Sequence, residues 1–155
     1  ILYKMSTLYR NKTATYNFKI EQEFEAGLVL TGQEVKSVKA KHLSLKGAFV
    51  SIKDGQAWLK KMHITPYSKA SVGLKNYNPD QDRILLLKKK EIIYLSSKTN
   101  EKGLTIIPVS VYTSRRLIKV KIALVKGKKK FDKRETIKKR EVGRTIARKL
   151  KSFRR

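Results

Sequence analysis

The stretch LTIIPVSVYTSRRLIKVKIALV, residues 104–125, constrains this chain more than any other. β-Branched and aromatic residues recur on both sides of a polar break at Thr113-Ser114-Arg115, and such runs suit a pleated, half-buried surface rather than a helix. Two long strands joined by a tight connection are expected, which commits this part of the chain to antiparallel sheet. Pro108 has no N–H to donate, so its strand is expected to lie at an edge or to carry a bulge there.

The same reading extends upstream. GAFVSIKDGQAWLKKMHI holds two strand-like runs around Asp54-Gly55, a hairpin signal because both residues tolerate the positive φ of a type I′ turn. YNFKIEQEF alternates at Tyr16, Phe18 and Ile20, and AGLVLTG follows it, so residues 16–31 read as one or two strands. GQEVKSVKAK, with Val35 and Val38 three apart, predicts a short helix presenting Lys36, Lys39 and Lys41. Residues 88–101 predict a second helix, with Gly103 as its C-cap. The polar stretch YSKASVGLKNYNPDQD, residues 67–82, reads as a long loop with no distinctive motif.

About six short antiparallel strands interrupted by helices predict a mainly β fold. The expected form is a six-stranded closed barrel of oligonucleotide-binding (OB) type with two or three peripheral helices and a basic C-terminal tail; a β-sandwich is the structural rival. The expected organisation is an N-terminal extension over residues 1–10, mobile, then a barrel over 11–125. The tail covers 126–155 and is expected to be disordered alone or helical on a partner. Residues 1–4 precede the first methionine, Met5, and carry no functional expectation.

Charge narrows the partners. With 38 Lys and Arg against 12 Asp and Glu, the chain carries +26. Such a chain repels itself unless a polyanion neutralises it, and nucleic acid is the first candidate. No stretch approaches the ~20 apolar residues of a membrane span, and the N-terminus lacks a secretory apolar core. There is no cysteine, and the two histidines, His42 and His63, are too few and too far apart for a metal site; His63 reads as structural. No nucleophile–base pair, paired carboxylate site or phosphate-binding loop appears, so an enzyme is not expected.

The charge is concentrated at the end. Residues 126–155 hold 15 basic and 3 acidic side chains, a net of +12 that leaves +14 for the other 125. Val142, Ile146, Leu150 and Phe153 recur at spacings of four, four and three, one narrow helical stripe. Arg140, Arg144, Arg148, Lys151 and Arg155 fall on the opposite side. One reading is an amphipathic helix docked on its own barrel with a solvated basic face. The favoured reading is a tail that orders on a phosphate-rich partner, because like charges three and four apart destabilise an isolated helix. Phe131, flanked by lysines in KGKKKFDKRE, has the setting of a ring that stacks on a nucleobase. Asp132 would orient Lys133 or Arg134, or cap the helix that follows.

Several motifs in order carry a resemblance: Asn11-Lys12, FEAGLVLTGQEVKS, DGQAWLKKMHITPY, RILLLKKKEI, KGLTIIPVSVY and VKIALVKGKKKFDKRE. Together they resemble the small protein B family, bacterial proteins that bind transfer-messenger RNA (tmRNA) in ribosome rescue. The resemblance implies an OB-like barrel that clasps the tRNA-like domain of that RNA and delivers it to stalled ribosomes for trans-translation. It also implies a tail that becomes helical in the empty messenger channel of the small subunit. No catalysis and no cofactor are implied. The partners are tmRNA and small-subunit ribosomal RNA, with one protein copy per RNA, in the cytoplasm. A ribosomal or general RNA-binding structural protein with the same barrel is the alternative.

Carried over by position, the resemblance places tmRNA contacts at Asn11, Glu25 and Leu86, to which the sequence adds Lys12, Lys36 and Lys39 as phosphate partners. Leu86 alone, in an apolar LLL run, reads as core. Glu25 alone reads either as a structural salt bridge or as an acceptor from a base edge or 2′-hydroxyl. In the tail, Gly127, Lys128, Asp132, Lys133 and Arg134 match the family's GKK and DKR signature, with Phe131 where relatives carry histidine or tyrosine. Lys129, Arg140, Arg144 and Arg148 complete the expected ribosome-facing set. Thr13-Ala14-Thr15 departs from the family, which is more basic there.

Overall fold

In the computed structural model, which describes residues 5–69, 75–128 and 130–154, the elements fall in this order: β1 (Ser6–Arg10), α1 (Ala14–Asn17), β2 (Phe18–Leu28), α2 (Gly32–Lys39), β3 (Leu43–Ser44), β4 (Phe49–Lys53), β5 (Gln56–Lys60), β6 (His63–Ile64), β7 (Arg83–Leu86), α3 (Lys89–Thr99), β8 (Leu104–Ser114), β9 (Leu117–Gly127) and α4 (Lys130–Phe153). Seven strands form one antiparallel sheet in the order β1-β8-β4-β5-β7-β2-β9, and β3 pairs with β6 in a separate ribbon. The protein is mainly β, with a large antiparallel sheet and several helices. Ser6–Arg10, grouped by sequence with an N-terminal extension, is a strand on β8.

The sheet returns on itself. β8 pairs with β9 along its length, so β8, β4, β5, β7, β2 and β9 make a circuit of pairings with β1 outside it. The other edge of β8 is divided: Val50 of β4 faces Ile106, whereas β1 faces residues 110–113. Pro108 lies between these partners, and the register with β9 slips between Pro108 and Ser110. A residue without an N–H is tolerated where the ladder changes partner, so the proline takes the bulge position it requires.

Inside the circuit the core is built from Phe24, Leu28, Leu45, Leu59, Met62, Leu85, Leu95, Ile106, Val120 and Ile122 with their neighbours. On the opposite face of β8 and β9, Ile107, Ala123 and Val125 form a second cluster with Ala14 of α1, flanked by Phe18 and Ile20. Both faces of this hairpin are therefore buried near its middle. That double burial is why IIPV and IALV read as unbroken apolar runs rather than as alternation.

Asp54 (φ 51°) and Gly55 (φ 71°) make the expected two-residue turn between β4 and β5. The turn between β8 and β9 lies later than the polar break suggested. Ser114 pairs with Leu117, and the connection is Arg115-Arg116, at φ 49° and 66°. Left-handed backbone costs an arginine about 1–2 kcal/mol, so the flanking ladders impose this turn against local preference. α2 and α3 form where their patterns predict. α3 ends at Thr99 with Asn100 as its C-cap, and Gly103, at φ 84°, instead turns the chain into β8.

Candidate nucleic-acid interface

One row of facing residues crosses three strand pairs outside the circuit: Leu86 opposite Gly27, Gly27 opposite Lys119, and Lys119 opposite Tyr112. Leu86 is 60 % exposed, so it is not the core residue its apolar run suggests. β7 alternates, with Arg83 and Leu85 buried and Leu86 exposed, and a three-leucine run conceals that period. Gly27 leaves room for it, because a Cβ there would lie 3.3 Å from the Leu86 Cβ. Val29, 46 % exposed, follows on β2's exit.

Glu25, two residues before Gly27, has the adjoining position. The Lys119 ammonium donates to its Oε1 and the Tyr112 hydroxyl to its Oε2. These bonds, the lysine's first, hold the Glu25 carboxyl below its usual range. Burial, and then the bond to Glu25, push the Tyr112 hydroxyl up, so it remains a donor at neutral pH. Glu25 is thus ion-paired, yet its side chain is 49 % exposed. A carboxylate has about four lone-pair sites, which leaves acceptor capacity beyond these two bonds. Both alternatives that the sequence left open for Glu25 are compatible with its setting.

Asn11 is different. It is 9 % exposed, its Nδ2 donates to the Pro108 carbonyl at 3.0 Å, and its Oδ1 accepts from the Thr13 hydroxyl at 2.8 Å. Its backbone N–H donates to Val109 at 2.8 Å. Asn11 therefore closes the gap in the β8 ladder where β1 gives way to β4, with its side chain committed to that task. Lys12 beside it is exposed. Lys36 and Lys39 are exposed on α2, and the Lys36 ammonium lies 5.5 Å from the centre of the Tyr67 ring, a cation–π distance.

The tail runs from the sheet without a break. Gly127 is still in β9, opposite Phe18. The Lys128 N–H donates to Asn17 at 3.0 Å, and its ammonium donates to the Thr15 carbonyl and the Thr136 hydroxyl, both at 2.7 Å. Lys128 thereby fastens the start of the tail to α1. Lys129 lies outside the described residues, as do the side chains of Phe131 and Asp132. Lys133 is half-buried, and Arg134 and Arg148 are exposed.

α4 lies on the body with the side that an amphipathic pattern would leave in water. The Arg140 guanidinium donates to the Thr15 hydroxyl at 3.0 Å. Arg140, Gly143, Arg144 and Ala147 line a cleft shared with Arg10, Asn11, Lys12 and Lys121. The apolar stripe is exposed: Val142 58 %, Ile146 54 %, Leu150 60 % and Phe153 88 %. Apolar burial therefore does not hold this helix, and its placement is not that of the less favoured reading, a helix docked through its stripe with a solvated basic face.

Glu34 and Arg83 stand outside the residues expected from sequence, each with 2 % of its side chain exposed and 2.5 Å apart. The legible signal was Thr31-Gly32-Gln33-Glu34, the Thr-x-x-Glu spacing of a capping box, which Thr31 and Glu34 form. Gln81 of the loop read as featureless donates to Glu34 at 3.2 Å, and the Tyr77 hydroxyl of the same loop lies 3.4 Å from the other carboxylate oxygen. His63, exposed, meets Asp80 at 3.0 Å. Among the described residues no acidic, histidine or cysteine cluster suits a metal ion, and no helix is long and apolar enough to cross a membrane.

A circuit of antiparallel strands with cations outside it, followed by a long basic helix, is the make-up of a mainly β, polyanion-binding protein. A protein-family model described as SmpB protein matches residues 8–152. The chain belongs to the SmpB family. It is 45 % identical over 144 residues to an SsrA-binding protein of Streptococcus mutans, covering 93 % of this chain and 92 % of that one. With an SsrA-binding protein of Ligilactobacillus salivarius it shares 43 % over 150 residues, covering 97 % and 96 %. A solved chain from the structure described as "tmRNA-SmpB: a journey to the center of the bacterial ribosome" superposes with a TM-score of 0.66 at 37 % identity, covering 79 % of this chain and 85 % of that one.

Proposed function

We propose that this protein binds the tRNA-like domain of tmRNA and delivers it to stalled ribosomes for trans-translation, with no catalytic step of its own. The observation that carries the reading is the likeness, in sequence and in fold, to a chain of the structure described as tmRNA-SmpB in the bacterial ribosome. On this reading the circuit of six strands is an OB-like closed barrel. Residues 11–125 hold the RNA, and 126–155 act on the ribosome. Glu25 and Leu86, adjoining on the outer face, meet the RNA with Lys12, Lys36 and Lys39 on its phosphates. Asn11 contributes by fixing the chain around Lys12. α4, 24 residues long, spans about 36 Å, a rod suited to an empty messenger channel. Gly127, Lys128, Lys129, Phe131, Asp132, Lys133, Arg134, Arg140, Arg144 and Arg148 serve small-subunit RNA. The protein works on cytoplasmic ribosomes, one copy per RNA.

The test is affinity for the tRNA-like domain against an arbitrary hairpin of equal length. The expected result is a preference of roughly 100-fold or more at physiological salt, since shape and base contacts add to charge. Equal affinity would favour a general RNA-binding protein instead. A second measurement separates the two readings of Leu86. Because it is exposed, Leu86→Ala is expected to change stability by less than about 0.5 kcal/mol while weakening tRNA-like-domain binding about tenfold. A core leucine would cost about 2–5 kcal/mol, and that result would remove Leu86 from the interface.

A further inference from the structure

The residues that sequence divides between two RNA partners meet in one place. The cleft between α4 and the body has a volume of about 770 Å³ and brings Lys12 of the body together with Arg140 and Arg144 of the tail. Arg10 and Lys121, which no motif singles out, stand in it too. Glu23 is its acid, and the Lys121 ammonium already lies 3.5 Å from that carboxylate. Among the described residues, five cations and one paired acid line a space walled by two parts of the chain. In water alone such an arrangement repels itself and tends to open, because the helix brings arginines, not its apolar stripe, to the contact.

We infer that this cleft is a binding site for an RNA phosphate backbone, with the body as one wall and α4 as the other. Arg140 and Arg144 are one turn apart, about 6 Å along the axis, and each guanidinium offers a planar fork that matches phosphate oxygens. Gly143 and Ala147 lie on the same helix face between and beyond them, and a Cβ built on Gly143 meets nothing within 4 Å. Small residues at these positions keep the cleft open where a longer side chain would fill it. The RNA is thus held by body and tail at once before the tail has another partner. The inference rests on the reading of the chain as an RNA-binding protein but not on which RNA, since a backbone site reads charge and spacing rather than sequence.

The experiment follows the affinity of the full chain for two RNAs, the tRNA-like domain and an arbitrary hairpin, as salt is raised. Arg10→Ala with Lys121→Ala removes two cleft charges. Gly143→Leu with Ala147→Leu fills the cleft without changing charge, and replacing a helical glycine favours the helix, so α4 is retained. Lys46→Ala with Lys53→Ala removes two exposed charges elsewhere. The first variant is expected to lose about tenfold in affinity and to flatten the log–log salt slope by roughly 1.4–1.8. The filled variant is expected to flatten it comparably on both RNAs with its charge intact, and the Lys46/Lys53 variant to flatten it by less than half as much. A filled variant with the parental slope, or a Lys46/Lys53 variant that matches the cleft variants, overturns the inference. A parental chain without preference between the two RNAs sinks the tmRNA reading and leaves the cleft result standing.

Discussion

A chain ending after Lys128 is expected to retain its RNA and to lose ribosome rescue. Tagging of stalled nascent chains should fall by about 100-fold or more, equivalent to losing two or more charge-assisted contacts at ~1.5–3 kcal/mol each. Affinity for the tRNA-like domain should fall only about tenfold, the share that Arg140 and Arg144 contribute as one wall of the cleft. The body should stay as stable as before, within about 1 kcal/mol, because the apolar stripe of α4 is exposed and leaves little buried area to lose. Ending the chain after Lys128 also keeps the bond from its N–H to Asn17. The two activities therefore separate because the helix is attached at its root and along a charged face, not through a shared core. Parallel loss of binding and tagging would show instead that α4 is only an arm of the RNA clamp.

The parts of this fold that sequence made legible are those where one local rule decides. Asp54-Gly55 takes a turn that few other pairs can take, and Pro108 marks the place where a ladder lacks a donor. The capped helices follow from spacing alone. The Arg115-Arg116 turn was not legible, because nothing local favours arginine in the left-handed region; two long ladders force it. β1 was not legible either, since its burial is shallow and its alternation faint. For the interface the limits are similar. Leu86 reads as core until the strand's alternation is known, and nothing near Asn11 in sequence announces its bond to the bulged β8. Charge placed α4 with a polyanion, but charge has no direction in sequence. Which side of the helix faces the body depends on Thr15, which is distant from Arg140 in sequence and bonded to it in space.

Replacing Arg83 by methionine is expected to destabilise the fold by about 3–5 kcal/mol, a large share of the ~5–15 kcal/mol that holds a domain together. The reason is the completeness of what it leaves behind. Each of the five guanidinium N–H groups has an acceptor: Glu34, the Met62 and Gln81 carbonyls, the Tyr77 hydroxyl and the Pro79 carbonyl. Glu34 in turn accepts from the Thr31 N–H and hydroxyl and from the Gln81 amide, each at 3.2 Å. Burial, and then the nearby Glu34 charge, push the Tyr77 hydroxyl up, so it stays protonated and can donate to the Ile64 carbonyl at 3.0 Å. Methionine would fill most of the volume but leave the Glu34 carboxylate buried without its counter-ion. Lysine would keep the charge while losing the fork, so Arg83→Lys is also expected to be costly. Glu34→Gln with Arg83→Met removes both charges together and should cost less than the sum of the single changes, by about 0.5–3 kcal/mol. Chemical denaturation of the four proteins measures this. A single Arg83→Met cost below about 1 kcal/mol would mean that water or neighbouring carbonyls already satisfy the carboxylate. The cluster joins α2 to β7 and to the loop before it, so the same set should be assayed for RNA binding. If the doubly substituted protein is folded yet binds weakly, the ion pair is a positioning device for Lys36 and Lys39, not only a source of stability.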